Sequence, residues 1–242
     1  MVDIKKDFMP IYQKEKAFEL QLQEDLKTLV EKAEGLEGVS RAAIISAKDI
    51  IVDAKVRWKC LYPICFGVGS SPCCPPETPP VDECERIIHS FRYAIVFQMD
   101  VPVELFAISA DSEDYDKYSE AELEEYAREG SRPFIENNAA CNQIEAWANS
   151  MGYRQAVSFQ GGPCTGIMLG ECGTVPPGGK CAVLAGNTCR RFLKSRPAME
   201  AMAIDVIGTI LPLGWDMVYI GGSTNTAEEI PCASTAGLLL VV

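Results

Sequence analysis

The feature that most limits how this chain can fold is the placement of its cysteines. Most of the eleven lie in two stretches rich in glycine and proline, and in the first the breakers are dense enough to exclude regular secondary structure. The first runs from Cys60 through Cys65 to Cys73-Cys74-Pro75-Pro76 and also carries Pro63, Gly67, Gly69, Pro72, Pro79 and Pro80. The second holds Cys164, Cys172, Cys181 and Cys189 among Gly161, Gly162, Gly166, Gly170, Gly173, Gly178, Gly179 and Gly186. The chain has a single histidine, so the thiolates lack imidazole partners. Soft sulfur donors of this kind favour zinc, copper(I) or iron–sulfur clusters over harder ions.

A disulfide framework is the rival reading of so many cysteines. The N-terminal run Met1-Val-Asp-Ile-Lys-Lys-Asp-Phe-Met-Pro mixes charges and has no apolar core of signal-peptide length, so the expectation is a cytoplasmic chain with reduced thiols. An odd count would leave one thiol unpaired, and 242 residues at 48% hydrophobic can bury a core without staples. No segment approaches the ~20 apolar residues of a membrane span. A net charge of −12 speaks against a sequence-independent grip on nucleic acid or anionic membrane. The acid concentrates in Asp111 to Glu129, a solvated loop and helix face or a docking surface for a basic redox partner.

The hydrophobic pattern predicts one α+β domain over 1–242, with an antiparallel or mixed sheet, helices packed on it and two cysteine-rich loops; residues 1–38 form an N-terminal helical extension. Leu22, Leu26, Leu29, Val30 and Ala33 mark an amphipathic helix over 14–35. Short strands are expected at 42–46 and 49–56, as a hairpin leading to Cys60. A helix follows at 81–91 and a strand at 93–98, then helical blocks at 119–128 and 133–151 and a strand at 153–159. An apolar helix begins at Pro197 and stops at Pro212 and Gly214, and strands at 215–220 and 237–242 end the chain.

Loops rich in glycine and proline can turn several thiolates inward without strain. Structural zinc sites usually present Cys-x2–4-Cys knuckles, whereas the tightest useful spacing here is Cys60-x4-Cys65 and no Cys-x2-Cys occurs. Wider spacing suits a larger object with corners farther apart, such as an iron–sulfur cluster. Cys74-Pro75 adds to that reading, since proline follows a ligating cysteine in ferredoxin-type runs. Cys60, Cys65 and Cys74 form the first ligand group, with Cys73 as substitute for Cys74. Cys164, Cys172, Cys181 and Cys189 form the second, enough for one 4Fe–4S cluster or one zinc. Cys141 reads as core, His89 as a core or edge residue, and either Cys84 or Cys232 could complete the first group, which otherwise leaves one iron open. Arg190, Arg191, Lys194 and Arg196 could offset cluster charge, bind an anionic ligand or simply solvate a turn.

The sequence resembles a family of uncharacterised, predicted metal-binding proteins of anaerobic archaea and bacteria. The resemblance rests on Val52-Asp53, Val56-Arg57-Trp58-Lys59-Cys60, Cys65 and Cys74-Pro75-Pro76. It continues in Gly162-Pro163-Cys164, Cys189-Arg190, Arg196-Pro197-Ala198-Met199-Glu200-Ala201, Ile204-Asp205-Val206 and the closing Gly237-Leu-Leu-Leu240, covering about residues 40 to 242. The family pattern has a Cys-x2-Cys after the Gly-Pro; here Ile167 stands at its second position, and Cys172 and Cys181 are the replacement ligands. The resemblance implies metal binding and no particular reaction.

The expectation is therefore an iron–sulfur protein, with one or two clusters of 4Fe–4S type, serving electron transfer or as a redox accessory to a larger enzyme system or protein partner. A cluster-dependent enzyme with an open iron at the three-cysteine site is one alternative, and a zinc-stabilised structural or assembly protein is another. No P-loop, Gly-x-Gly-x-x-Gly, Gly-x-Ser-x-Gly or Cys-x3-Cys-x2-Cys motif is present, so no catalytic residue is named.

Overall fold

A computed structural model describes residues 11–62, 64–65, 67–105, 119–168, 181–218 and 230–242. Its centre is a four-stranded antiparallel sheet with strand order β1-β2-β4-β3, formed by Val39–Ser46 (β1), Tyr93–Asp100 (β2), Val157–Phe159 (β3) and Ser234–Val241 (β4). Side chains alternate across a strand, so β2 and β4 feed two cores. On one face Ile95, Phe97, Met99, Leu239 and Val241 meet helix α1 (Ile11–Glu34) and helix α4 (Glu120–Ser150). Leu22, Leu26 and Leu29 of α1 are fully buried, and each burial is worth about 1.5–3 kcal/mol. On the other face Ala94, Val96, Leu238 and Leu240 meet helix α3 (Val81–Ile88) and the segment from Met199 to Ile210. Helices on an antiparallel sheet are the expected α+β class.

Gly237 pairs with Phe97 across β4 and β2 because only a residue without a side chain leaves room for that ring; a Cβ there would collide with the ring and lie 2.7 Å from Cys141 Sγ.

Several elements differ from the sequence expectation, each for a local reason. The predicted strand over 49–56 is instead a 3-10 turn, Ala47–Asp49, and helix α2, Ala54–Leu61. Asp53 decides this: its carboxylate accepts from the Lys55 backbone N–H at 2.8 Å and caps the helix. Only Val52 pairs, in a single bridge to Ile204. The two predicted helical blocks at 119–128 and 133–151 are one helix, α4, with Pro133 inside it. Arg132 pairs with Glu129 at 3.2 Å and Glu136 at 3.8 Å, spanning the proline where a backbone bond is lost.

The predicted helix from Pro197 is divided. A 3-10 turn, Glu200–Met202, ends on Ala203 in the left-handed region at φ 62°, and helix α5 (Val206–Ile210) restarts after Asp205, whose side chain accepts from Gly208 N–H at 2.9 Å. The predicted strand at 153–159 is reduced to 157–159, because Gly152 at φ 105° reverses the chain after α4 and a turn occupies 154–155. Residues 215–218 form no strand, and 219–220 lie outside the described residues, as does Asp111 to Tyr118 of the acidic run.

Candidate metal centre

Three segments meet beyond the end of β3: the last turn of α2 with the loop to Pro80, the loop after β3, and residues 181–198. The first loop is folded by consecutive turns. Cys65 N–H donates to Cys60 carbonyl at 2.8 Å, Val68 to Cys65 at 3.0 Å, Cys74 to Ser71 at 3.1 Å and Gly69 to Pro75 at 2.7 Å. Gly67 lies against two thiols: a Cβ there would sit 3.1 Å from Cys74 Sγ and 3.8 Å from Cys65 Sγ. The glycine thereby keeps open the space that these cysteines face.

Cys60, Cys65 and Cys74 line one cavity of about 390 Å³, completed by apolar residues including Val56, Phe134 and Ile207 and by Glu200. Cys73, Cys164, Cys181 and Cys189 line a second cavity of about 260 Å³ with Ile167, Phe192 and Ser195. Cys172 falls outside the described residues. Cys73 and Cys74 are neighbours in the chain, yet each opens into a different cavity. Sequence proximity alone groups Cys73 with Cys74; the turn at Ser71 separates them, and a Ser71 Oγ bond from Cys73 N–H at 3.2 Å holds it. Ile167, at the position where the family pattern has a cysteine, lines the second cavity.

The thiols are unequal. In the second cavity the facing Cys73 thiol pulls the Cys164 thiol well below its ordinary range, and Cys73 is itself pushed up. Ser195 Oγ, 3.1 Å from Cys164 Sγ and 3.4 Å from Cys73 Sγ, and the backbone N–H groups of Gly166 and Ile167 further favour a thiolate at Cys164. In the first cavity burial pushes Cys74 up to about 11, with the Cys65 charge adding to it, and burial likewise raises Cys60. A bound cation would reverse these rises, since ligating thiols are deprotonated.

A polar frame behind the second cavity fixes its geometry. Arg196 forms a bidentate ion pair with Glu145 of α4, one arm at 2.8 Å, and Glu145 also accepts from the Ser158 backbone and hydroxyl, each at 2.8 Å. Burial would raise the Glu145 carboxyl, but the Arg196 and Ser158 bonds hold it below its ordinary value. Arg196 also donates to the Ser195 carbonyl at 2.8 Å, locking the residue whose hydroxyl touches both thiols. Gln160 donates to the Pro163 carbonyl at 2.6 Å and so sets the approach of Cys164. Arg57 of α2 ties the first loop down through the carbonyls of Pro79 and Ala201, both at 2.6 Å.

The remaining cysteines stand apart from both cavities. Cys84 is buried against Arg57 Nη2, at 3.2 Å, and the Pro79 carbonyl, at 3.4 Å. Cys141 is fully buried in the α4 face of the core and donates to Phe159 carbonyl at 3.3 Å. Cys232 is half-buried beside β4 and lines neither cavity. His89 is anchored by a 3.0 Å bond between Nε2 and the Ile50 carbonyl.

Among the described residues no three His, Cys, Asp or Glu side chains converge tightly enough for one ion, as a zinc bound at about 2.3 Å from each sulfur requires. The thiols instead surround volumes of several hundred Å³. No helix among the described residues is long and apolar enough to cross a membrane.

Comparison with known families matches residues 43–240 to the predicted metal-binding protein family DUF2284, and the chain belongs to that family. No curated protein and no solved structure matches the chain.

Proposed function

We propose that this member of a predicted metal-binding family is an iron–sulfur protein with two cysteine-ligated centres in one domain, acting in electron transfer or as a redox accessory to a larger enzyme system. The observation that carries the reading is the pair Cys73-Cys74, whose side chains open into two separate thiol-lined cavities. Cys60, Cys65 and Cys74 would hold one group, and Cys73, Cys164, Cys181 and Cys189 the other, with Cys172 a further donor for the second. Such groups supply one-electron chemistry when bound, at potentials tuned by hydrogen bonds to sulfur and by burial. The chain's own part is to hold the thiols, to donate from Ser195, Gly166 and Ile167 toward Cys164, and to exclude water through Phe134, Phe192 and the surrounding apolar residues.

A protein partner is consistent with the exposed Trp58, Tyr62 and Ile64 beside the exposed Cys65. Aromatic residues on a rim of this kind are common interface anchors. Iron, zinc and acid-labile sulfide analysis of anaerobically purified protein, with EPR of the reduced form, tests the reading. Iron and sulfide in near-equal amounts support it; stoichiometric zinc without sulfide replaces it with a zinc-stabilised structural protein.

A second reading has its own observation. The three-thiol cavity has about 390 Å³ of space, large enough for a small substrate, and Glu200 lines it with its carboxyl pushed up by burial. A three-cysteine group there would leave one position open to a ligand, and the protein would then be an enzyme. Perturbation of one of two EPR signals by a small-molecule ligand would favour that reading over simple electron transfer.

A further inference from the structure

A third cavity, of about 330 Å³, has no cysteine in its lining and is bounded by a different class of residue. Ile135, Asn138, Ala139, Asn142 and Gln143 of α4 form one wall, and Thr165, Arg191 and Lys194 form the other. Its polar groups are arranged but not satisfied. Thr165 is 2% exposed, and its hydroxyl has no hydrogen-bond partner among the described residues. Asn142 spends its Nδ2 donor on the Asn138 carbonyl at 2.7 Å and the Lys194 carbonyl at 3.3 Å, and its Oδ1 is buried with no donor among the described residues. A buried polar atom without a partner is costly, and native proteins seldom leave two in one cavity without something to bind them.

The charge beside these atoms is positive although the chain carries −12 overall. Arg191 and Lys194 bring two cations to the cavity, and the Asn138 and Asn142 amides fix the Lys194 backbone through its carbonyl, at 3.0 and 3.3 Å. A hydroxyl donor at Thr165 with cations from Arg191 and Lys194 suits an anionic oxygen pair. The acceptor at Asn142 requires, in addition, a donor on the ligand.

We propose that this cavity binds a small carboxylate carrying a hydroxyl or amino donor beside its charge. The carboxylate oxygens accept from Thr165 Oγ1 and the two cations, while the ligand's hydroxyl or amino group donates to Asn142 Oδ1. The volume accommodates a molecule of several heavy atoms where a single water fills about 30 Å³. The site is independent of the metal reading, since none of its lining residues is a cysteine.

Calorimetric titration of the full chain with glycolate, glycine, acetate and inorganic phosphate tests it. Glycolate and glycine should bind saturably and acetate about tenfold more weakly, because acetate gives Asn142 no donor. Thr165→Val and Lys194→Gln should each weaken glycolate about tenfold with unchanged circular dichroism. Lys194 is exposed, so its substitution keeps the test open if the buried threonine variant fails to fold. Absence of saturable glycolate binding by folded protein would overturn the assignment, showing a cavity filled by water alone. So would glycolate no tighter than acetate, phosphate tighter than glycolate, or glycolate binding unchanged in Lys194→Gln.

Discussion

Cys73 Sγ and Cys164 Sγ share one hydrogen-bond partner across the second cavity, Ser195 Oγ, at 3.4 and 3.1 Å. Two cysteines from different stretches of the sequence thus share one environment. Under the two-centre proposal Cys73 groups with the later cysteines, with which it shares a cavity. Cys73→Ser should remove the EPR signal of one centre and leave that of the other, whereas Cys74→Ser should do the reverse. Loss of the same signal in both variants would show a single centre.

The Glu145–Arg196 pair is a stability element placed behind the site. Arg196→Met leaves a buried carboxylate with only Ser158 for company, and breaking a buried pair from one side costs roughly 3–5 kcal/mol. Urea denaturation of the metal-free protein should show that loss, and the double variant Glu145→Gln/Arg196→Met should recover part of it. Equal stability of Arg196→Met and the parent would contradict the proposed frame.

The same pair sets an acid limb. The folded Glu145 carboxyl lies below its ordinary value of 4.5, so its contribution is present above about 4.5 and is lost as pH falls through the lower, folded value. Thermal melts of metal-free protein should weaken more steeply below pH 4.5 in the parent than in Glu145→Gln. Parallel acid limbs would assign the acid sensitivity to other carboxylates.

Gly67→Ala examines the first cavity alone. The new methyl would lie 3.1 Å from Cys74 Sγ, so that thiol must shift, while Cys65 Sγ at 3.8 Å stays in ordinary contact. Folding should survive, because the change is confined to a loop. Iron per chain should fall by about half under the two-centre reading, with the EPR signal lost in Cys74→Ser reduced in the same way.

What the sequence made legible follows physical range. Leu22, Leu26 and Leu29 repeat at helical spacing, and Tyr93 to Gln98 reads as a β-prone run, so α1 and β2 emerge from local pattern alone. Proline and glycine marked the first cysteine loop as a run of turns after Leu61, whereas Cys60 itself lies in α2 and a short helix, Thr165–Met168, follows Cys164 in the second stretch. The errors arose where a single polar residue outweighed the pattern: Asp53 turns an apparent strand into α2, and Asp205 restarts a helix that hydrophobicity alone would continue. The division of Cys73 from Cys74 was not legible, because it depends on the turn at Ser71 and on contacts with Ser195, far along the chain. Likewise the partner of Arg196 sits on α4, and no local spacing relates it to Glu145. The one local hint was the adjacent pair itself, since neighbouring cysteines seldom serve one metal together.

The most direct measurement is iron, zinc and acid-labile sulfide per chain in anaerobically purified protein, compared among the parent, Cys73→Ser and Cys74→Ser with parallel EPR. The account predicts iron and sulfide in the parent and partial, complementary losses in the two variants. Zinc without sulfide in the parent, or complete loss of iron in both variants, would contradict it.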